Sequence, residues 1–361
     1  MGIAKGTISI TRFQVLGLVP KGEEVIDDLL KKPFRPFQDG VEEERSGVCD
    51  ALNHLKGGPS KDAAYTFMDG KVLFGLRIDT RKVPAAELNA HLELRLERLA
   101  KEKDLAFIGK EARTSLRDEV KAELLGKVRP ITKVTESIWN LRGGSLLIAG
   151  GNKPITMGRA LLTELFGAET RGLTPVNLAS MLLPTSTEAS LLHGQARELL
   201  EPLMGQLFLT WLWKRAQEDG GTANEGDAAT LLFGDSLKLV TDNGTIKEAS
   251  LKKGEPTESH AALEALAEGM LPAAAKVRVL SGELEWTFTL DHNLRISGLK
   301  LPKTAGNDQV SRLADRIFLV EELLGHIDLR FKEFLGTWEA GPDRLQEEAK
   351  AWGRQHVNAE V

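Results

Sequence analysis

Leu284-Glu285-Trp286-Thr287-Phe288-Thr289-Leu290, then Asp291-His292-Asn293, then Leu294-Arg295-Ile296, is the stretch that sets the fold class. Apolar and polar residues alternate with a period of two, so Leu284, Trp286, Phe288 and Leu290 fall on one face of a strand. The Asp-His-Asn triplet turns the chain, and Leu294 and Ile296 return it. Gly298 shifts the phase so that Leu299 and Leu301 continue the apolar face, as a β-bulge does. The pattern over Gly282 to Leu301 predicts an antiparallel hairpin buried on one side.

The same signature recurs toward the N-terminus. Thr7 to Phe13 alternates, placing Ile8, Ile10 and Arg12 on one face. Tyr65 to Met68 runs into Asp69-Gly70, a pair suited to a tight turn with positive φ, and Val72 to Leu76 returns. Ser137 to Leu141 and Ser145 to Ala149 are joined by Gly143-Gly144, and Asp235 to Thr241 and Thr245 to Leu251 by Asp242-Asn243-Gly244.

Between the strands the period changes to about 3.6. Glu23 to Lys32 reads as a helix ended by Pro33 and Pro36. Met157 to Phe166, Leu199 to Ala216 with Trp211 and Trp213, Glu258 to Met270, Val310 to Phe334 and the tail from Pro342 to Val361 also read as helices. Leu173 to Leu183 is apolar and broken by Pro175 and Pro184, Gly220 to Gly226 is a polar loop, and Pro272 is read as preceding another helical turn. The expected fold is α+β, with antiparallel sheets, packed helices and a helical arm. Its parts are 1–83, an α+β portion; 84–135, the arm; 136–302, a central α+β portion ending in the late hairpin; and 303–361, C-terminal helices.

Composition narrows the class. Of 361 residues, 42% are hydrophobic and 27% charged, which is ordinary for a folded soluble chain and argues against disorder. The single cysteine, Cys49, has no intramolecular disulfide partner, the first residues lack a secretory apolar core, and no run is long enough to span a membrane. A cytoplasmic location is expected. Cys49 has no base beside it in sequence and reads as a small buried hydrophobe.

Charge is unevenly distributed. Arg77 to Lys133 holds 14 Lys and Arg against 10 Asp and Glu, a balance of +4, whereas the whole chain carries −5, so the remainder carries −9. Pro84 opens a long helix with the stripe Leu88, Leu92, Leu96 and Leu99. Thr114 to Leu125 forms a second helix, with Leu116, Val120 and Leu124 on one stripe and Arg113, Arg117 and Lys121 on another. Gly126 and Pro130 close the arm.

Two readings of these charges stay open. Arg95, Arg98, Lys101, Lys103, Lys110, Arg113, Arg117, Lys121, Lys127, Arg129 and Lys133 are candidates for phosphate contact. Alternatively they are solvated helix faces with i, i+4 ion pairs to Glu93, Glu97, Glu102 and Asp118. No zinc finger, basic zipper or recognition helix is present, so contact with the nucleic-acid backbone is the expectation rather than base reading. Trp211 and Trp213 lie two apart on an apolar helix and read as core rather than base-stacking residues.

Catalytic signals are weaker. Asp343, Glu348 and Lys350 superficially resemble the carboxylates and lysine of metal-dependent nucleases, but a helical tail is the wrong context. The seven histidines, at 54, 91, 193, 260, 292, 326 and 356, lack zinc spacing, and His292 reads as a turn residue. Gly57-Gly58-Pro59-Ser60-Lys61 and Gly150-Gly151-Asn152-Lys153 lack the full phosphate-loop pattern. No cofactor and no catalytic residue is expected.

Ser115-Leu116-Arg117-Asp118-Glu119-Val120, then Leu124-Leu125, then Trp139 in the next strand resemble the RdgC family of recombination-associated proteins. The segment Asp50-Ala51-Leu52 and the late hairpin, through Leu284-Glu285-Trp286, Leu290, Leu294, Gly298, Leu299 and Lys300, are similar to that family as well. After the arm motif the chain departs from it, having Lys127-Val128-Arg129-Pro130 where family members often carry an aromatic residue. The resemblance implies a ring-shaped homodimer that encircles double-stranded DNA without sequence preference, is associated with the nucleoid, and modulates homologous recombination by restraining the strand-exchange recombinase. It carries residue roles only to the basic positions beside the motif, chiefly Arg113, Arg117 and Lys121. Two other functions remain as alternatives: a metal-dependent DNA exonuclease, and a protein-binding scaffold whose arm docks an acidic partner.

Overall fold

The structure, a computed structural model, describes residues 2–17, 20, 22–38, 41–104, 107–183, 191–192, 194–222, 229–241 and 247–359. The chain forms two compact units, one of Pro20–Phe67 with Val72–Ser137, the other of Met1–Val19, Met68–Lys71 and Ile138–Val361.

In the smaller unit a short helix, α1 (Glu24–Leu29), precedes β2 (Glu44–Cys49), which pairs antiparallel with β4 (Lys71–Thr80) from Glu44 opposite Thr80 to Cys49 opposite Gly75. The Val72 to Ile78 stretch of β4 is buried throughout; Val72 to Leu76 reads as a continuous apolar run rather than an alternating one, and the buried Arg77 that follows pairs with Asp79. Its preceding strand, β3 (Phe67–Met68), meets it across Asp69-Gly70, where φ is +48° and +73°. That is the positive-φ pair the sequence predicts. From β4 the chain enters α2 (Ala85–Glu102) and α3 (Lys110–Leu125), then returns as β5 (Ile131–Asn140), whose hydrogen-bonded neighbours are β4 and β6 (Ser145–Ile148).

The larger unit is organised by β1 (Ile8–Leu16), which bonds three partners. Its first half pairs with β12 (Ile296–Lys300), its middle with β6, and its last half with β7 (Glu169–Gly172). Burial follows this change of partners. Ile8, Ile10 and Arg12 are buried as the alternation predicts, and the phase then slips one position so that Phe13 and Val15 are buried too. Beyond β12 the order is β11 (Leu284–Asp291), β10 (Leu271–Ser281), β8 (Thr230–Val240) and β9 (Glu248–Lys252). Trp286, Phe288 and Leu290 of β11 are fully buried, and Gly298, at φ +62°, lies in β12 where the register against β11 shifts.

Helices pack against this sheet and against one another. They are α4 (Asn152–Phe166), α5 (Pro175–Leu182), α6 (Arg197–Glu218), α7 (His260–Ala267), α8 (Gln309–Leu335) and α9 (Pro342–Ala359). Trp286 locks β11 to α8 by donating its indole N–H to the Leu319 carbonyl at 3.0 Å, and Phe208 of α6 meets Phe331 of α8 edge-on at 5.0 Å. The α+β class with antiparallel strands and packed helices is therefore observed.

One element differs from expectation. Pro272 does not precede a helical turn: Leu271–Ser281 is strand β10, paired on both sides, with β8 and with β11. Ala273-Ala274-Ala275 has helical propensity, but ladder bonds to two neighbours outweigh it, and Pro272 is accommodated at a register shift. The expected Asp242-Asn243-Gly244 turn, Pro184, His193 and 223–226 of the polar loop lie outside the described residues.

Candidate nucleic-acid interface

Pro84 has φ −58°, the value its ring imposes, and delivers β4 into the first turn of α2. The two arm helices then pack through their apolar stripes. Val83, Leu88, Val120, Leu124 and Leu125 form one buried cluster with Val128 against it. Leu96 and Leu99 of the expected stripe, and Leu116, are only half-buried, so the seam is driest where the helices join β4 and β5 and opens toward the loop between them. In that loop Phe107 is 81% exposed; residues 105 and 106 lie outside the described set.

Arg95, Arg98 and Lys101 sit on α2, with Lys103 at its C-terminal cap. Lys110, Arg113, Arg117 and Lys121 sit on α3, Lys127 and Arg129 follow it, and Lys133 is at the start of β5. Two of these cations are tied down. Arg95 reaches across to both carboxylate oxygens of Glu123 at 2.8 Å, pairing α2 with α3, and Lys121 pairs with Glu43. The other nine are exposed, and among the described residues none of them forms an ion pair. Nor do Glu93, Glu97, Glu102 and Asp118, so the intrahelical pairs of the solvated-face reading are not made. Arg98, Lys101, Lys110, Arg113 and Arg117 thus offer their donors to solvent, and binding a phosphate there breaks no existing pair.

The remaining candidates have other partners. Glu348 accepts from Arg344 at 2.9 Å and Lys350 donates to Glu347 at 2.6 Å, all on α9, so Asp343, Glu348 and Lys350 do not converge. Among the described residues no group of three His, Cys, Asp or Glu could hold a metal ion. Cys49 is fully buried, and burial pushes its thiol up to about 12, which suits a packing role. Trp213 is buried, donates to the Thr257 carbonyl at 3.0 Å and meets Trp352 edge-on, whereas Trp211 is half-buried beside Phe208 and Phe334. His292, in the β11–β12 turn, hydrogen-bonds the Ala273 carbonyl of β10 and so ties the turn to that strand, while Asp291 closes the turn by accepting from the Asn293 and Arg295 N–H groups. Gly151 caps α4, and Ser60, in the other glycine-rich loop, donates its N–H to Asp50.

The sequence reading missed that Asp50 organises this loop. Its carboxylate accepts from the N–H groups of Leu52, Asn53 and Ser60 and from the Tyr65 hydroxyl. The turn-forming Asp-x-x-Asn spacing was the available signal.

No protein-family model matches the chain, and no curated protein sequence matches it significantly. Among the described residues no helix is long and apolar enough to cross a membrane.

Proposed function

We propose that the α2–α3 arm binds the backbone of double-stranded DNA without reading its sequence, and that the protein acts as an encircling homodimer in homologous recombination, restraining access of the strand-exchange recombinase. The observation that carries the DNA-binding part is the set of exposed, unpaired cations on one packed helical hairpin in an otherwise acidic chain. Acidic surfaces repel phosphate, so binding has to be focused at such an element. The ring, the recombination role and a place at the nucleoid rest on the resemblance to the RdgC family. Two copies of a modest arm around one duplex gain by multivalency what a single copy lacks.

The test is retention of a closed circular duplex at moderate salt by the wild type and by a variant carrying Arg98→Glu, Arg113→Glu and Arg117→Glu. The expected result is loss of retention in the variant with unchanged folding. Equal retention sinks the proposal. A second reading, docking of an acidic protein partner, is favoured by Phe107, whose exposed ring beside cations is suited to a protein surface. It predicts no duplex retention by the wild type.

A further inference from the structure

The strand order ends at β9, which among the described residues pairs with β8 alone. The terminal strand of the smaller unit, β2, is covered: Val48 donates its N–H to the Lys32 carbonyl, and its own carbonyl accepts from the Phe34 N–H. No such cover lies on β9 among the described residues. An open edge is a template for another strand.

The register with β8 fixes which groups lie on that edge. Thr241 donates its N–H to the Lys247 carbonyl at 3.1 Å and Lys253 to the Asp235 carbonyl at 2.8 Å, in the same register as the β8–β9 ladder. Hydrogen-bonded pairs alternate with non-bonded ones along an antiparallel ladder, so within β9 it is Ala249 and Leu251 that bond to β8. Glu248, Ser250 and Lys252 therefore aim their N–H and C=O groups outward, and all three are exposed.

This edge is complementary to itself. A two-fold axis at Ser250 sets Ser250 opposite Ser250 of a second copy, Glu248 opposite Lys252, and Lys252 opposite Glu248. Each opposed pair can exchange two backbone hydrogen bonds. On the other face, where β8 buries Leu237 and Leu239, the half-buried Ala249 meets Leu251 of the second copy. Glu248 accepts from Lys238 at 2.9 Å through Oε2, which leaves Oε1 for the second copy, and Lys252 forms no ion pair among the described residues.

Edge lysines ordinarily guard against pairing. Here the guard is matched in one register only: sliding the copies by two residues sets a charge opposite Ser250, and sliding by four opposes Glu248 to Glu248 or Lys252 to Lys252. Lys253, next in line to oppose Lys247, has φ +72° and turns the chain out of the strand before that like-charge pair forms.

We propose that β9 is a homodimer contact, pairing with β9 of a second copy about Ser250 so that the two sheets run on as one antiparallel sheet. The assignment rests on the homodimer reading above for the presence of a second copy, and not on DNA binding.

Sedimentation of the full chain without DNA, using charge reversals, tests this. Glu248→Lys opposes lysine to lysine and Lys252→Glu opposes glutamate to glutamate, and each is expected to raise the dimer dissociation constant roughly tenfold or more. Mixing the two variants restores both opposite-charge pairs, so the mixture should regain the dimer, which also shows that both variants are folded. A wild type that stays monomeric at its highest soluble concentration, single variants as dimeric as wild type, or a mixture that stays monomeric each overturns the contact. Dimeric single variants would move the contact away from β9 while leaving the homodimer itself standing, and retention of circular duplex by the arm is read separately.

Discussion

At the Asp50 carboxylate four donors converge, and they set its titration. Burial alone would push the carboxyl up, but the Asn53 N–H, Ser60, the Leu52 N–H and the Tyr65 hydroxyl together bring it below the usual carboxylate range. A carboxyl whose folded pKa is depressed contributes stability above its unfolded pKa and loses it as pH falls through the folded one. Asp50→Asn is therefore expected to cost about 2–3 kcal/mol at pH 7. Urea midpoints should show the gap to wild type narrowing as pH drops below the ordinary carboxylate range; a gap equal at pH 7 and at pH 3 refutes the ionic contribution. Gly205 is constrained differently. A Cβ on it would lie 1.7 Å from the His292 carbonyl oxygen, a backbone atom in the β11–β12 turn. Gly205→Ala is expected to cost about 3 kcal/mol by forcing α6 off that turn, despite the better helix propensity of alanine. A thermal midpoint unchanged from wild type would show that α6 can shift freely.

Among the elements, the arm depends on a small seam. Leu88, Leu92 and Leu124 are buried, but their neighbours toward the loop are only half-covered, so little else holds α2 to α3. Leu124→Ala should cost about 2–4 kcal/mol of local stability. Limited trypsin digestion would then cut at the arm's exposed Lys and Arg several-fold faster, while sites in the C-terminal helix α9 are cut at the wild-type rate. Uniform acceleration would mean that the arm is not a separate cooperative element. The arm helices were legible in the sequence because 3.6-residue periodicity is local, and the hairpin at Asp69-Gly70 because that turn needs positive φ. Strand β10 was not, since its alanines favour helix and only pairing with β8 and β11 makes it a strand. The arm's ion pairs were equally hidden. Arg95 and Glu123 are 28 positions apart and Lys121 and Glu43 are 78, beyond any helical spacing rule, so the nearby glutamates were the natural but wrong partners.

For the whole molecule, net charge turns the proposed function into a measurable slope. The chain carries −5, with +4 concentrated between Arg77 and Lys133, so nonspecific attraction of the whole surface to DNA cannot substitute for contacts by the arm. Each neutralised phosphate contributes roughly −0.9 to the slope of log K against log salt. If Arg98, Lys101, Lys110, Arg113 and Arg117 each engage one phosphate, a single copy gives a slope of about −4 to −5, and two copies on one duplex give about −9. Arg113→Glu with Arg117→Glu removes two contacts per copy. The slope should then become shallower by roughly 2 for a monomer and roughly 4 for a dimer, so it counts the arms in contact with DNA independently of absolute affinity. Fluorescence anisotropy of a labelled duplex between about 50 and 200 mM salt, paired with sedimentation of the same complex, gives both quantities. A dimer by sedimentation whose slope changes by only about 2 would mean that one arm faces away from the duplex, which an encircling arrangement does not permit.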